Sequence, residues 1–239
     1  MTKRTWFILG ATSIIAEEFS HLAAQAGAHV VLVGRNIQQL EIIAADIRLR
    51  HHVDCDFLPV DFTTDWTALL SFLVQNPHEV DLFIAHSVIY QNSELTTNAI
   101  EELVDTNILS TVQLINAYLQ KPQAKHRLIF LSSVAACRGR AKNSLYGSSK
   151  AAIEVYLQGL QQAAGGNLTI TIARLGFIDT NQTYGIPGIF YAASPKSCAN
   201  ACWQALKTGK RLIYYPFFWR FIMAIITRMP FFIYKRMKF

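Results

Sequence analysis

Acidic side chains run out early in this chain. Asp179 is the last of them, so residues 180–239 hold nine Lys/Arg and no Asp or Glu. The first 179 residues carry the other 13 basic side chains against all 16 acids. The net charge of +6 therefore describes a near-neutral body with a basic end. That end lacks the polar stripe of a nucleic-acid contact, because its cations are set among Phe, Ile, Trp and Met. Cysteine is scarce as well. Cys55, Cys137, Cys198 and Cys202 form neither a CxxC pair nor a paired framework, which excludes a disulfide scaffold and suits a reducing compartment. No clustered histidines accompany Cys198 and Cys202, so packing suits them better than metal ligation. Charged residues make up only 16% of the chain against 51% apolar. Even so, no apolar run reaches the roughly 20 residues of a membrane span. The apolar run Trp6-Phe7-Ile8-Leu9 breaks at Gly10-Ala11-Thr12-Ser13 and continues into Glu17-Glu18, a strand and turn rather than a signal peptide. Repeats, low-complexity tracts and linkers are all missing. The 239 residues fit one α/β domain.

What the chain does have is a steady alternation of strand and helix. Residues 4–9, 29–33, 53–59, 81–84, 128–131, 168–173 and 211–214 read as strands. Helices are expected over 13–26, 36–50 and 144–164, and from Pro195 onward. This pattern implies a Rossmann-type, doubly wound parallel sheet of about seven strands, with ligands at the strand C-termini.

The chemistry concentrates in Ser144-Leu145-Tyr146-Gly147-Ser148-Ser149-Lys150. Tyr146 and Lys150 are four residues apart and share one face of a helix. A phenol holds its proton to about pH 10, and a neighbouring ammonium favours the phenolate, making Tyr146 a candidate acid–base group. The strand 128–131 ends in Ser132-Ser133, where a hydroxyl could lie beside that phenol and hold a substrate oxygen. The competing reading is an ordinary helix start with Ser144 as a cap.

Ser133, Tyr146 and Lys150 in this order, behind a glycine-bearing turn at Gly10, resemble the short-chain dehydrogenase/reductase family over essentially the whole chain. The resemblance implies an NAD(P)-dependent oxidoreductase in which Ser133, Tyr146, Lys150 and Asn107 are catalytic, with Asn107 interrupting its helix to hold a relay water. It implies cofactor contacts at Gly10, Thr12, Ser13, Ile14 and Ile15, where Ile14 and Ala16 stand at two of the family's glycine positions. Further contacts are implied at Asp61 and Phe62 near the adenine, at Ala85, and at Gly176, Ile178 and Thr180 near the nicotinamide. Arg35 follows the second strand where NAD-binding members carry an acid, which favours NADP(H) over NAD(H); the alternative is a surface charge. His86 is expected to be a packed loop residue. Residues 181–194, with Tyr184, Pro187, Phe190 and Tyr191, read as an aromatic loop over the substrate. Subunits of the family pair through the helices carrying Asn107 and Tyr146, so a homodimer or tetramer is expected.

Residues 1–215 form the enzyme body and 216–239 an aromatic, basic tail. Its mixture of Phe, Trp, Lys and Arg suits a helix lying in the headgroups of an anionic leaflet; the alternative is an arm packed on the domain or on a partner subunit. The tail, and Arg138-Gly139-Arg140, resemble a branch of the family that reduces a keto sugar carried on a polyprenyl phosphate. The expected protein is cytoplasmic, peripheral to the membrane, and free of metal and nucleic acid. Two rivals stand beside it: a soluble reductase of small ketones or lipids, and a silent nucleotide-binding homologue.

Overall fold

The computed structural model describes residues 4–180 and 191–237. Within them, β1 (Arg4–Leu9), β2 (His29–Gly34), β3 (Cys55–Pro59), β4 (Glu79–Ile84), β5 (His126–Ser133), β6 (Leu168–Leu175) and β7 (Leu212–Tyr215) form one parallel sheet. The order is β3-β2-β1-β4-β5-β6-β7, which is the expected doubly wound architecture. Strands buried on both faces read as near-continuous apolar runs, and β1, β2 and β4 are buried at all but their first residue, with Thr5 and Asp81 the polar exceptions in β1 and β4.

Alternate side chains feed two layers. Trp6, Ile8, Val30 and Leu32 pack beneath α1 (Ile14–Gln25), α2 (Ile37–His51) and α7 (Pro195–Lys207). There Phe19 stacks on Phe83 at 4.0 Å between centroids. Phe7, Leu9, Val31 and Val33 pack on the other side against α3 (Thr67–Gln75), α5 (Ser110–Gln120) and α6 (Ser144–Ala163). β2 and β6 run to Gly34 and Leu175, past the expected ends, and carry the sheet to the edge of the site. β3 begins at Cys55 because His52 ends α2 in the left-handed region at φ 54°.

The strand order reverses between β1 and β4, and such a reversal opens a crevice at the C-terminal edge. Gly10 leaves β1 at φ +76°, where a β-carbon would stand 2.6 Å from the backbone nitrogen of His86. Only glycine allows the two strand ends to come this close. On the far side α4 (Thr97–Val104) joins α5 through a π turn, Asp105–Leu109, where the helix ladder is interrupted as expected. After β7 the chain forms α8 (Trp219–Arg228) and α9 (Phe231–Tyr234). No described helix is long and apolar enough to cross a membrane. Of the expected aromatic loop, residues 181–190 lie outside the described residues.

Candidate active site

A cavity of about 460 Å³ opens at the strand reversal. One end is walled by the β1–α1 turn, through Gly10, Thr12, Ser13, Ile14 and Ile15, and by Arg35 after β2. Asp61, Phe62 and Ala85 line its middle. Ser133, Tyr146 and Lys150 face Gly176, Ile178 and Thr180 at the other end. The sequence-predicted residues thus share one cavity, apart from Asn107, which lies behind it. The lining also includes Val60, Ser87, Val88 and Thr106, which carried no sequence signal.

The phenol end rests on packing of α6 against β5 and the short turn Val134–Cys137. Ser133 is the last residue of β5; its hydroxyl accepts from the Ala135 N–H at 3.1 Å and, like Tyr146, lines the cavity. Burial pushes the Tyr146 phenol above the ordinary tyrosine range, while the neighbouring Ser133 hydroxyl and the Arg140 guanidinium oppose the rise. A second cation, Arg140, thus joins Lys150, the residue expected to favour the phenolate. The Lys150 ammonium lies 5.8 Å from the Tyr146 ring centroid and 4.9 Å from that of Phe130. It donates to the Leu131 carbonyl at 3.0 Å. Burial drops its pKa to about 7, and Glu154 pulls in the opposite direction.

Glu154 follows Lys150 by one helical turn and belongs to a network the sequence did not reveal. It accepts from the Ser132 hydroxyl and from Arg174 on β6, whose Nε lies 2.9 Å from Oε2. Arg174 also donates to the Tyr214 hydroxyl on β7, and Cys137 Sγ lies 3.8 Å from that oxygen. One buried carboxylate thus ties α6, β5, β6 and β7 together beneath Ser133. The i to i+4 spacing of Lys150 and Glu154 was the available signal.

Asn107 is buried in the π turn, and its side chain is fully engaged. Its Oδ1 accepts from the Val88 N–H at 2.8 Å, while Nδ2 donates to the Val88 carbonyl at 2.9 Å and to the Ser149 hydroxyl at 3.0 Å. The amide therefore positions the loop after β4; a relay water would have to use the backbone that the wide turn loosens. His86 is a packed loop residue, as expected. It stacks on Phe62 at 4.2 Å between centroids, and Nε2 lies 3.1 Å from the Ser110 hydroxyl. Burial pushes its pKa down to about 3, with Lys150 contributing in the same direction.

The residues present fit a dinucleotide. Ser13 caps α1 without using its side chain, so a hydroxyl and the unpaired N–H groups of the first turn face the cavity, a setting for a pyrophosphate. Positive φ in this turn is confined to Gly10, so Ile14 begins the helix without backbone strain and its side chain is 38% exposed. Arg35 lies at the mouth with Nη1 3.5 Å from Glu102 Oε1. Asp61 accepts from the N–H and hydroxyl of Thr63, which holds its carboxyl below the usual range. No cluster of metal-binding side chains occurs among the described residues.

A nucleotide-sized crevice at a strand reversal, with a phenol, an ammonium and a hydroxyl at one end, defines the class: an oxidoreductase of Rossmann type. A family model described as short chain dehydrogenase matches residues 4–186, and the chain belongs to the short-chain dehydrogenase/reductase family. It is 28% identical over 238 residues to an uncharacterized oxidoreductase of Mycobacterium tuberculosis, covering 96% of this chain and 95% of that protein. Against an uncharacterized oxidoreductase of Staphylococcus epidermidis the identity is 30%, over 74% of this chain and 79% of the relative. The fold superposes on a short-chain dehydrogenase from Sphingobium yanoikuyae in complex with NADPH with a TM-score of 0.80, at 19% identity, covering 95% and 96% of the two chains.

Proposed function

We propose that the protein is an NADPH-dependent ketone reductase whose substrate is a keto sugar carried on a polyprenyl phosphate. The observation that carries the reductase reading is the meeting of Ser133, Tyr146 and Lys150 in one cavity, with the Lys150 ammonium 5.8 Å from the Tyr146 ring centroid. Ser133 holds the substrate oxygen and Tyr146 gives it a proton as negative charge develops there. Arg140 and Lys150 stabilise the phenolate left behind, and Asn107 keeps the loop at Val88 in place. When bound, the reduced nicotinamide supplies the hydride, and the Gly10–Ile15 turn is the part of the chain that holds its pyrophosphate.

The preference for NADPH rests on Arg35 at the cavity mouth and on the lack of an acid between β2 and Glu41. The lipid-carrier reading rests on the tail. Pro216, its aromatic-Arg-aromatic run, the Arg228-Met229-Pro230 segment and the basic end resemble the reductase acting on decaprenylphosphoryl-2-keto-ribose. Such a substrate suits a peripheral position on a cytoplasmic membrane face. A homodimer through the α4 to α6 region is supported by exposed Ile100 on α4, Leu109 in the π turn and Val155 on α6.

The first experiment titrates the protein with NADPH and NADH by cofactor fluorescence. Arg35→Ala is expected to weaken NADPH about tenfold, the scale of one charge-assisted hydrogen bond, and to leave NADH unchanged. Tyr146→Phe is expected to abolish ketone reduction with NADPH affinity nearly intact. Exposed Ile14 favours one rival, a silent homologue; no binding of either nucleotide would select it.

A further inference from the structure

The segment 216–237 has two apolar faces, and they meet different surroundings. The inward face is built into the site's wall. Trp219 is 5% exposed, and a β-carbon on Gly176 would fall 1.9 Å from its indole nitrogen. The ring therefore rests on backbone that lines the cavity. Trp219 and Met223, one turn apart, pack with Val134 in the turn after Ser133. Arg138 donates to the carbonyls of Ile226 and Met229, capping the C-terminal end of α8 where carbonyls lack helical partners. The Arg138 guanidinium lies 3.9 Å from the Tyr234 ring centroid, and the Tyr234 hydroxyl donates to the Gly139 carbonyl. The segment is thus fastened to both loops that carry the site.

The outward face has no such seat. Phe217 just before α8 and Phe221 and Ile225 on it recur every fourth residue, and each is at least 60% exposed. Phe231 and Phe232 continue the patch. Arg220, Arg228, Lys235 and Arg236 are exposed around it, and the chain has no acid after Asp179. A second copy of this face would set like charges against each other, whereas an anionic lipid surface complements the cations and takes the aromatic rings at headgroup depth.

We propose that the outward face of 216–237 seats on an anionic bilayer while the inward face stays part of the site, so that the substrate cavity is held at the lipid surface. This deepens the lipid-carrier reading and rests on it for the substrate. The tail is then a structural wall and a docking surface at once, and the two roles separate by mutation.

The test uses the full chain, vesicles of phosphatidylcholine with and without phosphatidylglycerol, and NADPH titration without any ketone. Wild type is expected to sediment with the phosphatidylglycerol vesicles and not with pure phosphatidylcholine. Phe221→Ser with Ile225→Ser is expected to weaken sedimentation at least about tenfold, the scale of exposing one buried aromatic, with NADPH affinity unchanged. Trp219→Phe and Arg138→Gln are expected to keep vesicle binding and to weaken NADPH binding several-fold. Indifference to phosphatidylglycerol would overturn the proposal. So would a dimer that the outward double variant turns into monomer, since that assigns the face to a second copy. Failure of wild type to bind NADPH would instead overturn the reductase reading, with the vesicle result standing separately.

Discussion

Lys150 and His86 carry opposite chemical duties but impose the same kind of pH dependence. Burial drops Lys150 from 10.5 to about 7, so between these values the unfolded chain binds a proton that the folded chain does not. Stability therefore rises with pH across that window, and the full burden is present below about pH 7. Lys150→Met is expected to raise the Tm of the cofactor-free protein at pH 6, with the gain shrinking toward pH 10. Calorimetry at both values checks this, and an equal gain at both would assign the effect to packing. His86 is held neutral down to about pH 3, while the unfolded chain protonates it below 6.5. Stability is accordingly lost as pH falls through that interval, and His86→Gln should flatten the acid limb of the stability curve. Glu154→Gln tests the buried network: it leaves Arg174 short of its counter-charge and is expected to destabilise the protein by about 3 kcal/mol in urea titration.

Elements explain which of these features the sequence could disclose. A parallel strand buried on both faces is apolar over most of its length, which is why Trp6–Leu9 and Val30–Val33 were legible without any structure. The Tyr146-Lys150 pair was legible for a similar reason, since the spacing along one helix face fixes it, whereas the reversal between β1 and β4 is a matter of strand order. The duties of Asn107 and Trp219 were not legible, because each depends on a partner far along the chain. Asn107 meets Val88 across the π turn, and Trp219 meets Gly176 after the chain has crossed the whole of α7 and β7. Such contacts leave no periodic trace. Asn107→Ala would strand both backbone groups of Val88. The expected loss is about 1–3 kcal/mol of stability together with weaker NADPH binding, because Val88 lines the cavity. Unchanged NADPH affinity in that variant would confine Asn107 to folding.

On the scale of the whole molecule, charge is divided along the chain rather than mixed. The body up to Asp179 is slightly acidic, and the nine Lys/Arg beyond it, a basic pole, are offset by no acid. Vesicle binding through that pole is expected to weaken as sodium chloride rises from 0.1 to 1 M, where the screening length contracts from about 10 to about 3 Å. Sedimentation across that range measures it; a flat response would mean that apolar insertion alone holds the protein.

The buried carboxylate beneath Ser133 also bears on how the sheet opens. An edge strand as short as β7, four residues long, would ordinarily fray on its own. Tyr214 is bound to Arg174, and Arg174 to Glu154 in α6, so detaching β7 strips a partner from the ion pair under the reactive serine. The backbone amides of β7 and of central β5 should then exchange with deuterium as one cooperative unit. Glu154→Gln should uncouple them, letting the edge exchange early while the centre stays protected.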